Sequence, residues 1–257
     1  MVKKTLCAIL FIVGLALVTF SARAIWSGRL YDAAARTEYA LLREIMSEIV
    51  TATPLPAYME EYAGNSVDPT ETQTNIPPLV YVNPLAESMR AFTDINPDFV
   101  GWMEITDVGI SYPIVRGSDN VLYLDTTFGG DHHLAGSIFM DYRCLDGFHT
   151  PVSVLYGHNM RDGSMFSMLT SYLQPVFMDE HDEIVVTTVD GDELVYRIFE
   201  ARRADAWDDV YALDFNDAQA AEAFFGKPKG SRFLVLSTCI IGGDRNARVL
   251  VIAVSYP

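Results

Sequence analysis

Cysteine is scarce in this chain: 257 residues hold three, Cys7, Cys144 and Cys239. A disulfide-stapled scaffold is excluded, because such folds carry more cysteines in a shorter chain. No C-x-x-C or H-x-x-x-H spacing occurs, so the common zinc frameworks are absent and no metal site is assigned. Basic residues are also few. Eighteen Lys and Arg face 34 Asp and Glu, a formal net charge of -16. Residues 1–43 hold six of the basic residues and two of the acidic ones, which leaves 12 against 32 in residues 44–257, a net of -20. A body this acidic excludes nucleic-acid binding through phosphate contacts and favours solubility and cationic partners. No internal repeat is visible. Lys and Arg are missing altogether from residues 51–80, where five prolines and five threonines read as a linker without period.

What is present begins with an apolar N-terminus. Two lysines precede an uncharged run from Thr5 to Ala22, which at about 1.5 Å per residue nearly spans a ~30 Å hydrocarbon core. Ala22-Arg23-Ala24 matches a signal-peptidase pattern, so cleavage is the competing reading. The run exceeds the usual apolar length of a signal peptide, which favours an uncleaved signal-anchor. Lys3 and Lys4 place the N-terminus inside, although Arg23 and Arg29 weaken the charge asymmetry. On either reading the body is exported. Residues 28–50 follow with Leu30, Ala34, Leu41, Leu42, Ile45 and Ile49 near helical spacing.

From Asn83 the chain is dense, and with half its residues hydrophobic it can build a substantial core. A helical segment runs up to Asn96-Pro97. Eight short runs rich in β-branched and aromatic residues follow: VGWMEIT, ISYPIV, GSIFMDY, VSVLYGH, EIVVTTV, ELVYRIFEA, FLVLSTC and RVLVIAV. Turn residues bound each of them, which predicts a barrel or sandwich. Asp190-Gly191 predicts a tight hairpin turn with positive φ at both residues. Two helices are expected among the strands. One is SMFSMLTSYL; the other is FNDAQAAEAFFGK, with Asn216 as N-cap, Gln219 as its box partner and Gly226 as the stop.

Few residues can carry chemistry. His132 and His133 read as an exposed loop, and with His149 they make no recognisable metal spacing. His158 ends a strand beside a glycine and a polar turn. Cys239 ends another strand, and Arg248 lies inside the next one. Taken singly, His158 and Cys239 have ordinary structural readings. Together the three are the parts for thiol acyl transfer: a thiolate nucleophile, an imidazole acid/base, and a guanidinium for a carbonyl and its oxyanion. No Asp or Asn is placed by spacing to orient the histidine.

These residues resemble a class B sortase, a membrane-anchored cysteine transpeptidase of Gram-positive bacteria. The resemblance covers roughly residues 90–257. It is carried by NPDFVGWMEI, YPIVRGSDNVLYL, GSIFMDYR, VLYGHNMRDGSMFSML, LSTC and the arginine of RVLVIAV, with 81 positions between His158 and Cys239. It implies a mainly β fold: a closed eight-stranded sortase-type β-barrel with N-terminal helices and a helix in the long connection before the cysteine strand. It implies catalytic roles for His158, Cys239 and Arg248, with Arg248 preferred to Arg245 because the family's arginine lies within the strand. Asn120, Leu124, Ser237 and Tyr211 fall where the family binds its substrate; a turn asparagine and a core leucine are the alternatives for the first two. Two departures stand out. Cys144 occupies a place usually polar and is read as a free thiol, since a bridge to Cys239 would abolish activity. Ile240 and the short IGGD that follows leave groove specificity there open.

The expected organisation is a cytoplasmic tail over 1–4, a transmembrane anchor over 5–22, an extracellular helix and linker over 23–82, and the catalytic barrel over 83–257. The expected function is cleavage of a C-terminal sorting motif of N/S-P-x-T-G/N type after its Thr, through a thioester, and joining to a peptidoglycan amine at the outer membrane face. No cofactor is needed. The partners are sorting-signal-bearing secreted proteins, a peptidoglycan or pilin amine, and the membrane. A pilus-polymerising sortase, a secreted cysteine peptidase and a non-catalytic wall-binding barrel are the alternatives.

Overall fold

The apolar runs within residues 99–255 form eight strands because they are rich in β-branched and aromatic residues and are broken by turn residues. The computed structural model describes residues 33–52 and 83–256. The chain divides into two units, Met1–Leu41 and Leu42–Pro257. Residues 33–52 are helical (α1), with Ala35, Tyr39, Leu42 and Met46 buried. That stripe differs from the expected one: Ala34 and Leu41 are exposed, and the ring of Tyr39 takes a buried place. Residues 1–32 and 53–82, with the expected anchor and linker, lie outside the described residues. Among the described residues no helix is long and apolar enough to cross a membrane.

In the second unit, α2 (Pro84–Ile95) starts at Asn83, whose side chain accepts from the Leu85 N–H, with proline at the first helical turn. The strands are β1 (Phe99–Ile105), β2 (Ile110–Val115), β3 (Ile138–Met140), β4 (Val152–Tyr156), β5 (Glu183–Thr188), β6 (Glu193–Asp205), β7 (Arg232–Cys239) and β8 (Ala247–Ser255). They close into a barrel in the order β1-β2-β3-β4-β7-β8-β6-β5. The β2–β3 and β4–β7 pairs are parallel, and the others are antiparallel. The barrel is mainly β with added helices, as the sequence implied, and all eight apolar runs are strands. β7 and β8 are buried almost end to end, so they read as continuous rather than alternating apolar runs.

Three local expectations change. SMFSMLTSYL is not an α-helix. Ser167–Leu173 is a 3₁₀ segment, followed by the short α3 (Pro175–Glu180), because Pro175 cannot extend the preceding turn by donating an N–H. The helix before the cysteine strand, α4 (Ala218–Phe225), is present, but Asp217 rather than Asn216 caps it, accepting from the Ala220 N–H. Asn216 instead donates to the Arg143 carbonyl and the Asp214 carboxylate. Gly226 stops the helix at φ 62° as expected. In the β5–β6 hairpin only Gly191 takes positive φ, 78°. Its N–H donates to the Thr188 carbonyl, and the turn is longer than a two-residue one.

Aromatic packing joins α2 to the barrel. The Phe92 ring lies 5.3 Å from both Phe99 and Trp102 and 6.3 Å from Phe128, and it is fully buried. Phe225 of α4 stacks on Phe233 of β7 at 4.4 Å. Replacing Phe92 by Ala removes a ring whose neighbours cannot collapse into the space. The expected loss is about 3–5 kcal/mol of unfolding free energy. Urea unfolding should show it as a lowered midpoint with an unchanged slope.

Candidate active site

Parallel pairing brings the candidate residues together. β4 and β7 run the same way, with Tyr156 opposite Ser237, so their C-terminal ends share one end of the barrel. His158 follows the end of β4, and Cys239 is the last residue of β7. β8 begins at that same end and runs antiparallel, with Arg248 directly opposite Cys239. Ile240 donates its N–H to the Ala247 carbonyl at 3.2 Å. Ladder alternation therefore makes Cys239–Arg248 a non-hydrogen-bonded pair, the kind whose side chains approach most closely. Residues 240–246 are the connection between these two strands.

The histidine loop is fastened to the cysteine strand by hydrogen bonds. The Gly157 N–H donates to the Ser237 carbonyl at 3.2 Å, and the Thr238 hydroxyl donates to the Gly157 carbonyl at 2.8 Å. Asn159 Nδ2 donates to the Cys239 carbonyl at 2.9 Å. Gly157 is required by space: a Cβ there would lie 2.4 Å from Ile138 and 2.7 Å from the Phe166 ring. His158 Nε2 is 2.7 Å from the Leu124 carbonyl. That oxygen can only accept, so Nε2 carries the proton and Nδ1 is the basic nitrogen of the neutral ring. A backbone carbonyl thus orients the imidazole, where spacing had offered no Asp or Asn.

All seven residues singled out in the sequence line one groove of about 320 Å³: His158, Cys239, Arg248, Asn120, Leu124, Ser237 and Tyr211. Leu124 is 42% exposed, which removes its reading as a core leucine. Arg245 is not among the lining residues; its carbonyl accepts from Arg248 Nη1 at 3.0 Å. Tyr211 holds Ser237 through its hydroxyl at 2.7 Å. His132 and His133 do not share an exposed loop. His132 is exposed, but His133 is buried and accepts from the Ala135 N–H.

Sequence reasoning missed Asn159, Phe139, Tyr156 and Thr238 in this region, and it missed Asp141. The Asp141 side chain is fully buried and receives Nε and Nη2 of Arg143 at 2.9 and 2.8 Å. The Tyr156 hydroxyl and Asn120 Nδ2 also donate to it, at 2.8 and 2.9 Å. Burial alone would raise the Asp141 pKa, but the Arg143 and Tyr156 hydrogen bonds outweigh it and hold the carboxyl below the ordinary carboxylate range. Burial, with the Asp141 charge beside it, pushes the Tyr156 phenol well up. The signal available in sequence was an Asp-x-Arg step leaving an apolar strand, too common to single out.

A family model described as Sortase domain matches residues 103–255. Sortase B of Staphylococcus aureus is 29% identical over 187 residues, covering 67% of this chain and 75% of that protein. Sortase B of Listeria monocytogenes is 42% identical over 95 residues, 37% of this chain and 39% of that protein. The crystal structure of a Streptococcus pyogenes class B sortase involved in pilus biogenesis is 29% identical, with a TM-score of 0.57. That match covers 65% of this chain and 96% of the other.

Cys144 and Cys239 are both unbridged; Cys239 is exposed, while burial pushes the Cys144 thiol up to about 12. Iodoacetamide at mildly alkaline pH should therefore modify Cys239 in the folded protein and Cys144 only after denaturation, as read by peptide mass mapping. Asp141 has its folded pKa lowered, so its contribution is complete above the unfolded value of about 3.9 and is lost as pH falls through the folded value. Denaturant unfolding followed from about pH 5 down to about pH 2 should show stability falling as acid protonates Asp141. Asp141→Asn should have a flatter acid limb than the wild type.

Proposed function

From the premise that this chain belongs to the sortase family, whose members are cysteine transpeptidases, we propose that it cleaves a C-terminal sorting motif of N/S-P-x-T-G/N type and joins the released acyl group to an amine. The observation that carries this reading is the cross-strand pairing of Cys239 with Arg248 in the groove that His158 also lines. The Cys239 sulfur forms a bond to the carbonyl carbon of the motif's Thr. Negative charge develops on the carbonyl oxygen, where the Arg248 guanidinium offers fixed donors. The C–N bond to the next residue breaks, and protonated His158 gives the departing amine its proton. A thioester remains. An acceptor amine then attacks it, passes a proton to His158 and expels the Cys239 thiolate. The thioester conserves the acyl energy, so the exchange needs no nucleotide.

The acceptor proposed is a peptidoglycan amine, and the 5–22 run is proposed as a membrane anchor that holds the barrel outside the cell. Support for the anchor is the length and apolarity of that run. A second acceptor class, a pilin lysine, is favoured by one observation, the similarity to a class B sortase involved in pilus biogenesis.

A fluorogenic sorting peptide tests the reading. Cys239→Ala should abolish turnover. Arg248→Lys, which keeps the charge and loses the fork, should lower kcat by roughly 10²–10³. Mass spectrometry of the wild type should trap an acyl adduct on the Cys239 peptide. Undiminished cleavage by Cys239→Ala would sink the proposal. Competition between a peptidoglycan-type amine and a lysine side chain decides the acceptor.

A further inference from the structure

Two separate hydrogen-bond networks meet at the groove. One holds the reacting groups: Thr238 to Gly157, Asn159 to Cys239, and His158 to the Leu124 carbonyl. The second has the Asp141 carboxylate at its centre and touches none of those three side chains. One Asp141 oxygen receives the Arg143 N–H and Nε, and the other receives Arg143 Nη2, the Tyr156 hydroxyl and Asn120 Nδ2.

From that carboxylate the network spreads to three stretches of chain far apart in sequence. Asn120 belongs to the segment before the 3₁₀ turn Leu122–Leu124, and its Oδ1 accepts the Tyr142 N–H at 3.1 Å. Both ends of its amide are therefore engaged, which fixes the amide's orientation and leaves one hydrogen and one lone pair facing other partners. Tyr156 ends β4, and its ring stacks on Tyr211 at 6.2 Å. Arg143 Nη1 donates to the Tyr211 carbonyl at 2.9 Å, while its guanidinium carbon lies 4.2 Å from the centre of the Phe215 ring. Asn120, Tyr156 and Tyr211 line the groove; Asp141 and Arg143 do not.

We propose that Asp141 and Arg143 are positioning residues for substrate recognition, a buried clamp that sets the groove walls for the peptide without holding the reacting groups. This rests on the transpeptidase reading for its substrate. The physical reason is that a fully buried carboxylate must keep its donors, so Asn120, Tyr156 and Arg143 are confined to the places where they reach it. The partner of His158 is held independently. The Ser137 N–H donates to the Tyr123 carbonyl and the His133 N–H to the Asp125 carbonyl, so the residues on either side of Leu124 are tied to a segment outside the clamp. Loosening the clamp therefore moves Asn120 and Tyr211 and leaves the Leu124 carbonyl in place. Substrate affinity and chemistry are separable in this site.

Asp141→Asn in the full chain keeps the shape and puts an amide donor where two donors converge. On the sorting peptide its KM should rise at least roughly tenfold, with kcat within about threefold of the wild type when referred to titrated Cys239 thiol. The alkylation rate of Cys239 should not change. Hydrogen exchange should quicken at Tyr142, whose N–H Asn120 accepts, and in residues 209–212, and not in β4 or β7. Arg143→Gln is the second variant, should Asp141→Asn fail to fold, and it should show the same split. The double variant should be markedly less than additive, because both substitutions act through one clamp. An unchanged KM in a folded variant would overturn the proposal. So would a kcat lowered well beyond threefold per titrated thiol, or unaltered exchange at Tyr142 and in 209–212. A wild type that processes no peptide would overturn the transpeptidase reading alone, and the exchange measurement would still decide the clamp.

Discussion

The parallel ladder between β4 and β7 is the constraint on which the site depends. Val152 to Tyr156 pair with Phe233 to Ser237 in register, although 81 residues separate them. Parallel strands end on the same side, so whatever follows β4 meets whatever ends β7. Gly157 and His158 are delivered to Thr238 and Cys239 by that fact, and the antiparallel return of β8 brings Arg248 opposite the thiol. A slip of one residue in either ladder would turn Cys239 or Arg248 to the other face of the sheet, since side chains alternate with period two.

The carboxylate network beside the groove carries a different kind of constraint. Burying an ionised carboxylate is costly unless its lone pairs are filled, and removing one partner of a buried ion pair typically costs about 3–5 kcal/mol. Asp141 meets that condition with Arg143, Tyr156 and Asn120, and the half-exposed Arg143 side chain moderates the figure. Arg202 of β6 plays a related part, holding the Asp208 carboxylate of the long connection, which also caps the turn that carries Tyr211. Hydrophobic burial thus builds the barrel, and ionic hydrogen bonds fix the loops that overlie its end.

Several local features were legible because they depend on neighbours along the chain. The eight apolar runs, the helix that ends before Asn96-Pro97, Gly226 after α4 and the positive φ of Gly191 are of this kind. The misread details each involve a competitor elsewhere in the fold. Asn216 faces the Arg143 carbonyl, so Asp217 takes the cap. The α1 stripe includes Tyr39, whose apolar ring a count of aliphatic residues overlooks. His133 is buried although its neighbour is exposed, a distinction that two adjacent identical letters cannot carry.

Taken alone, the sequence determined the strand set, the acidic body, and the presence of one thiol, one imidazole and one guanidinium at strand ends. These are local properties: periodicity, composition and turn chemistry act over a few residues. Tertiary structure alone decided that Cys239 and Arg248 are cross-strand neighbours, that a carbonyl of Leu124 orients His158, and that Asp141 joins Asn120, Tyr156 and Arg143. The Asp141–Arg143 pair is local, but the other contacts span 9 to 34 positions of chain. Such contacts depend on barrel closure and register, which no short window of residues specifies.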